Sequence, residues 1–143
     1  MLEFDHVDHI GIRISDRETS LEFYQLLGFE LIADGGYDAG HPLVMLHPSG
    51  INLNLLGPAT AKAGENTLMD EAEKYPGITH LAIKMKSAQQ AEAFVTANNI
   101  KITGRREFRG TKTIFIRDPD RTVLELVGPG PSVAELIRDE VNS

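Results

Sequence analysis

The residues best suited to chemistry in this 143-residue, cysteine-free chain are two histidines, a carboxylate and an asparagine that recur at corresponding places. His9 stands in "DHIGI", His80 in "THLAI", Asn54 in "INLNLLGP" and Glu125 in "TVLELVGP". His80 follows His9 by 80 − 9 = 71 positions, and Glu125 follows Asn54 by 125 − 54 = 71. Two imidazoles and one carboxylate on separate strands make a facial donor set, which leaves metal positions open for a bidentate oxygen ligand and for water or dioxygen. A metal held this way stabilises negative charge that develops on oxygen. A plainer account makes His9 and His80 polar cavity residues and Glu125 the partner of Arg13 or Lys84. Three donor groups at repeat-related positions favour the metal. His6, His41 and His47 lack such correspondence and read as loop or surface residues.

Positions so far apart converge only if the chain builds one framework twice. "DHIGIRISDRETSLEFYQLLGFEL", from Asp8, overlays "THLAIKMKSAQQAEAFVTANNIKI", from Thr79, without a gap and at the same offset of 71. One offset over two separated segments marks an internal duplication. Ile10, Ile12 and Ile14 alternate with His9, Gly11 and Arg13, as Leu81, Ile83 and Met85 do with His80, Ala82 and Lys84. That is the period of a strand covered on one side. A helix follows in each copy, opened by a capping box of Ser15 with Glu18 or of Ser87 with Gln90. Leu21, Phe23, Tyr24 and Leu27 give the first helix its apolar stripe, and Gly28 and Asn99 tolerate the left-handed conformation that ends a helix.

Three further strands complete each copy, with turns at "HPSG" and "DPDR". In the closing strands Leu53 and Leu55, like Leu124 and Leu126, belong under the helices, which turns Asn54 and Glu125 to the side of the histidines. The expected fold class is α+β, with βαβββ modules over residues 1–58 and 79–129. A polar linker over 59–78 carries a short helix near 67–75, and a peripheral tail over 130–143 carries a helix capped by Ser132 with Glu135.

Bulk properties narrow the function classes. A formal charge of −7 without a Lys/Arg cluster speaks against nucleic acid or an anionic membrane as partner. The absence of cysteine removes disulfides, thiolate nucleophiles and sulfur-ligated metals. The start "MLEFDHVDHIG" has no signal-peptide pattern, and no apolar run approaches the roughly 20 residues of a membrane span. A cytoplasmic location is the expectation.

The paired strand–helix segments and the closing "DPDRTVLELVG" resemble the vicinal oxygen chelate superfamily, which holds glyoxalase I, extradiol ring-cleavage dioxygenases, methylmalonyl-CoA epimerase, and fosfomycin and bleomycin resistance proteins. The likeness extends to Gly128. It implies that the modules form an incomplete barrel around one divalent metal ion per chain, with His9, His80 and Glu125 as ligands. Glu125 is then also the catalytic candidate, Asn54 a fourth ligand or substrate contact, and Arg13, Lys84 and Phe115 line the cleft. Iron(II), manganese, zinc, nickel and cobalt all suit such donors.

Departures from the family pattern bear on the reaction. Isomerases of the family place a carboxylate, histidine or glutamine where Asn54 stands, and an amide cannot act as a base. Ring-cleavage and fosfomycin-modifying relatives tolerate a noncoordinating residue there, but often carry a tyrosine ten residues before the ligand carboxylate, where 125 − 10 = 115 is Phe115. Arg121 replaces the glycine after "DPD", a variation of the turn. The expected function is a metal-dependent dioxygenase, lyase or isomerase acting on a small molecule, as a homodimer that covers exposed sheet edges. The alternative is a metal-free binding protein of the bleomycin-resistance type. Such binders line their cleft with aromatics, of which this chain has 6% and no Trp.

Overall fold

The structure is a computed structural model that describes residues 1–62 and 64–142. Residue 63 of the expected linker and residue 143 of the tail lie outside the described residues. The chain divides into two compact units, Met1–Glu65 and Asn66–Ser143.

In the first unit, β1 (Ile10–Arg13) leads into α1 (Arg17–Leu26), and β2 (Glu30–Asp34), a 3-10 turn (Tyr37–Ala39), β3 (Leu43–Leu46) and β4 (Asn52–Leu56) follow. The sheet order is β1-β4-β3-β2, with β1 parallel to β4 and the other pairs antiparallel. The alternation in β4 does what its pattern requires: Leu53 and Leu55 are fully buried, while Asn52 and Asn54 turn to the other face. Leu21 and Tyr24 of α1 are buried, and Tyr24 meets Phe23 and Phe29 edge to face.

The second unit repeats this order as β5 (His80–Lys84), α2 (Ala88–Ala97), β6 (Gly104–Phe108), β7 (Thr111–Arg117) and β8 (Val123–Val127), with sheet order β5-β8-β7-β6, and adds α3 (Val133–Asn142). Neither sheet closes on itself, so the α+β architecture of two open βαβββ modules is as expected. The duplication persists in the register. Gly11–Asn54–Val44–Ala33 form one row across the first sheet, and Ala82–Glu125–Phe115–Gly104, each 71 positions later, form the matching row in the second. The helices also start and stop 71 residues apart.

Several local expectations need correction. The cap of α1 is Asp16, whose carboxylate accepts from the Thr19 N–H at 2.9 Å, and not Ser15 with Glu18. Asp16 is the 71-residue counterpart of Ser87, which caps α2 as expected by accepting from the Gln90 N–H at 3.0 Å. Residues 67–70 form a turn and 71–73 a bend, where a short helix was expected. Asn66 accepts the Leu68 and Met69 N–H groups on its own side chain, as a helix cap does, but the segment makes only a turn. The first strands are shorter than the alternation suggests, so His9 precedes β1. His47 is half-buried against Phe29, and its Nδ1 accepts the Ser49 N–H at 3.0 Å. Its counterpart Asp118 does the same for the Asp120 N–H.

The turn chemistry separates the two copies. Gly50 closes the "HPSG" turn at φ 96°, and Arg121 closes "DPDR" at φ 66°, a conformation that a side chain strains. Arg121 is held by Asp70, whose carboxylate also takes both Nη atoms of Arg117 at 3.1 and 2.9 Å. Segments 35–42 and 106–113 have equal lengths but different shapes. Gly36 and Gly40 at positive φ fold the first inward, so that buried Tyr37 donates its hydroxyl to the Ile14 carbonyl at 3.1 Å. The second, without those glycines, extends the β6–β7 hairpin and carries Phe108 outward between Arg106 and Arg109.

Candidate metal-ligand positions

His80 and Glu125 share one face of the second sheet, because Glu125 pairs with Ala82, two residues along from His80. The His80 Nε2 lies 3.2 Å from Glu125 Oε2, and the two side chains are 42% and 14% exposed. Two atoms bound about 2.1 Å from one ion at tetrahedral or octahedral angles stand about 3.0 to 3.4 Å apart, so this spacing suits a shared cation as well as an ion pair. Within the second module Glu125 meets His80 and not Lys84. Lys84 donates instead to the Pro131 carbonyl at 3.1 Å, and Arg13 is exposed. Phe115 lies directly across from Glu125 on the same face and rests against Gly104.

Both histidines have Nδ1 engaged by the preceding residue. His9 Nδ1 is 2.6 Å from Asp8 Oδ2, and His80 Nδ1 is 2.8 Å from Thr79 Oγ1. A carboxylate only accepts, so His9 donates through Nδ1 and a neutral ring keeps its lone pair on Nε2. The Thr79 hydroxyl rotates, so it can donate to Nδ1 when Nε2–H faces Glu125 or accept from Nδ1–H when Nε2 coordinates. Orienting partners of this kind are common behind metal-bound imidazoles. Asp5 grips His6 at 2.6 Å in the same way on an exposed stretch, so the contact by itself does not single out a ligand. Its hydrogen bond to His9, then the charge of that ring, holds the Asp8 carboxyl below its ordinary range.

In the first module His9 and Asn52 line a pocket of about 280 Å³, with Ser49 and Gly50 on its rim. Asn54 does not line it. The side-chain carbonyl oxygens of Asn52 and Asn54 are both buried without a hydrogen-bond donor among the described residues. Such an oxygen in a native fold calls for a water, an ion or a ligand hydroxyl. Asn52 was not among the expected site residues, and its signal was its place two residues before Asn54 on the same face.

Among the described residues no three His, Cys, Asp or Glu groups are gathered as a metal cluster. His80 and Glu125 come together within their module, and His9 belongs to the other. The donor chemistry nonetheless fits a divalent ion: an imidazole nitrogen and a carboxylate oxygen at ligand spacing, with amide oxygens in need of a partner in the first module. A larger cavity, about 700 Å³, lies elsewhere. Its floor is Ile114 and Leu126, on the face of the second sheet opposite Glu125, and the Arg105–Glu92 ion pair lies at its edge.

Solved structures reproduce the fold. A glyoxalase family protein from Enterococcus faecalis is 26% identical with a TM-score of 0.72, covering 87% of this chain and 98% of its own. A glyoxylase/bleomycin resistance protein/dioxygenase domain from Frankia sp. EAN1pec is 18% identical with a TM-score of 0.73, covering 91% and 96%. The fosfomycin resistance protein FosX from Listeria monocytogenes, solved with Mn(II) and sulfate, is 16% identical with a TM-score of 0.65, covering 94% and 99%. The curated proteins yield no match. No helix among the described residues is long and apolar enough to cross a membrane. The family model for the Glyoxalase/Bleomycin resistance protein/Dioxygenase superfamily matches residues 6–126, and with both open modules repeating its architecture, the chain belongs to that superfamily.

Proposed function

We propose that this protein is a metal-dependent enzyme that binds a small substrate through adjacent oxygens, with His9, His80 and Glu125 holding one divalent ion. The observation that carries the proposal is the His80–Glu125 pair at 3.2 Å on one sheet face, with the His80 Nδ1 already occupied by Thr79. Iron(II), manganese, zinc, nickel and cobalt are all compatible with these donors. When bound, the ion supplies Lewis-acid stabilisation of oxygen charge and open positions for the substrate. The protein's own part is to hold those donors, to orient the substrate through Asn54, and to shield the carboxylate with Phe115, which has no proton to give. With an amide at Asn54 and a phenyl ring at Phe115, Glu125 is the one acid–base group of the two matching rows. Ring-cleavage or lyase chemistry, which does not require a second base on the protein, fits this set better than isomerisation.

A second reading rests on a specific observation: without three gathered donors among the described residues, a metal-free binding protein needs no rearrangement. Metal analysis after purification without chelator separates the readings. About one divalent ion per chain, lost in His80→Ala, is the expected outcome. Metal-free wild-type protein that still binds small molecules favours the binding protein. The proposal further includes a soluble, cytoplasmic homodimer, supported by four open sheet edges, β1, β2, β5 and β6.

A further inference from the structure

The whole-chain charge conceals a local reversal. Residues 104–112 carry Arg105, Arg106, Arg109 and Lys112 against Glu107, so 4 − 1 = +3, and the rest of the chain sums to −7 − 3 = −10. This stretch is the β6–β7 hairpin, and its cations divide by face and by partner. Arg105 pairs with Glu92 at 2.5 Å and Arg109 pairs with Glu140. Glu107 and Lys112 face each other across the strands on the side opposite Glu125. Arg106 is left on the Glu125 side. It is exposed, has no ion pair among the described residues, and lies over the Phe108 ring at 5.6 Å, a contact that leaves its in-plane N–H groups to bond elsewhere.

The register shows what shares that face. Lys84, Val127, Thr113 and Arg106 form one row across the second sheet, next but one along the strands to the row that holds Glu125. From strand spacings, Lys84 stands about 8 Å and Arg106 about 12 Å from Glu125, and the two cations stand about 14 Å apart, Cα to Cα. Two side chains of roughly 6 Å each therefore reach a single group placed between them, above Thr113. Lys84 spends one of its three donors on Pro131 and keeps the other two. In the first module the same row holds Arg13 and Leu56, and Gly35 replaces Arg106, so the pair of cations is confined to one module.

We infer that Lys84 and Arg106 form an anion subsite on the Glu125 face, so that the substrate carries a carboxylate or phosphate tail several ångströms from its chelating oxygens. This rests on the proposed function for the chelating end, and the subsite itself does not require the metal. Among the described residues its cations have no ion pair, on an otherwise acidic protein, and the neighbouring Phe115 offers an apolar surface to the body of such a molecule.

Amide chemical-shift titrations of chelator-treated protein with phenyl phosphate, benzoate and neutral benzyl alcohol test this. Saturable shifts at Lys84, Arg106 and Thr113 are expected, with one or both anions bound at least about fivefold more tightly than the alcohol, and the ratio between the anions assigns phosphate or carboxylate. Arg106→Gln and Lys84→Gln should each weaken the preferred anion about three- to fivefold at unchanged thermal midpoint, and Arg106→Glu should weaken it further. Anions bound no better than the alcohol, or binding indifferent to all three substitutions, overturns the inference. The metal reading fails separately. His80→Ala should retain the anion while losing metal, whereas wild type that binds metal but not the anions keeps the first proposal and loses this one.

Discussion

At the residue scale, the matched row Asn54/Glu125 is the chief asymmetry of the duplication. Asn54 has a buried carbonyl oxygen with no donor among the described residues, and its amide is neutral where Glu125 is anionic. Asn54→Ala should therefore keep stoichiometric metal, and Asn54→Glu should tighten it while weakening an anionic inhibitor. Metal analysis and inhibitor titration read both effects. Loss of metal in Asn54→Ala as complete as in His80→Ala would make Asn54 an essential ligand. Asp70 yields a prediction about pH. Hydrogen bonds from Arg117 and then Arg121 lower its carboxyl from an ordinary 3.8 to about 2. Because the folded value lies below the unfolded one, the stabilisation is fully present above about pH 4 and is lost as pH falls through about 2. Asp70→Asn should cost about 1 kcal/mol at pH 7, and the gap between variant and wild type should close in denaturation curves taken near pH 2.

At the scale of elements, the turns show most clearly what the two copies kept and what they changed. Arg121 sits at φ 66° where Gly50 sits at φ 96°, so the second turn accepts a strained arginine in return for its contact with Asp70. Arg121→Ala and Arg121→Gly both lose that contact, but only glycine relieves the backbone. The glycine variant should be the more stable by about 1 kcal/mol in urea unfolding, and equal stability would mean that the turn is not strained. The α1 cap follows the duplication and not the local spacing. A capping box at Ser15 looked sound on local spacing, yet the offset of 71 from Ser87 lands on Asp16, the residue that caps. The expected helix near 67–75 failed for a tertiary reason: Asn66 donates to the Arg121 carbonyl and Asp70 is drawn to two arginines, which fixes the segment as a turn against the second sheet.

At the scale of the whole molecule, open sheet edges and the exposed apolar face of α3 bear on assembly. Val133, Ile137 and Val141 lie on α3 with 54%, 45% and 78% exposure, although the helix is anchored by the pairing of Arg109 with Glu140. Exposed apolar groups at that density favour self-association. Light scattering at micromolar concentration should give the mass of a dimer, and a strictly monomeric protein would remove the homodimer from the proposal.

The sequence by itself determined the duplicated framework, since alternation and helical period are local properties and a constant offset survives any change in what the side chains touch. It equally determined that His80 and Glu125 share a face, because one follows from strand parity and the other from the leucines beside it. Tertiary structure alone decided the partners. That Glu125 meets His80 and not Lys84, that Lys84 reaches the Pro131 carbonyl, and that Lys84 and Arg106 have no ion pair among the described residues all depend on which strands are neighbours and on where α3 begins. Pairings between distant side chains are settled by that packing, and a local pattern carries no record of it.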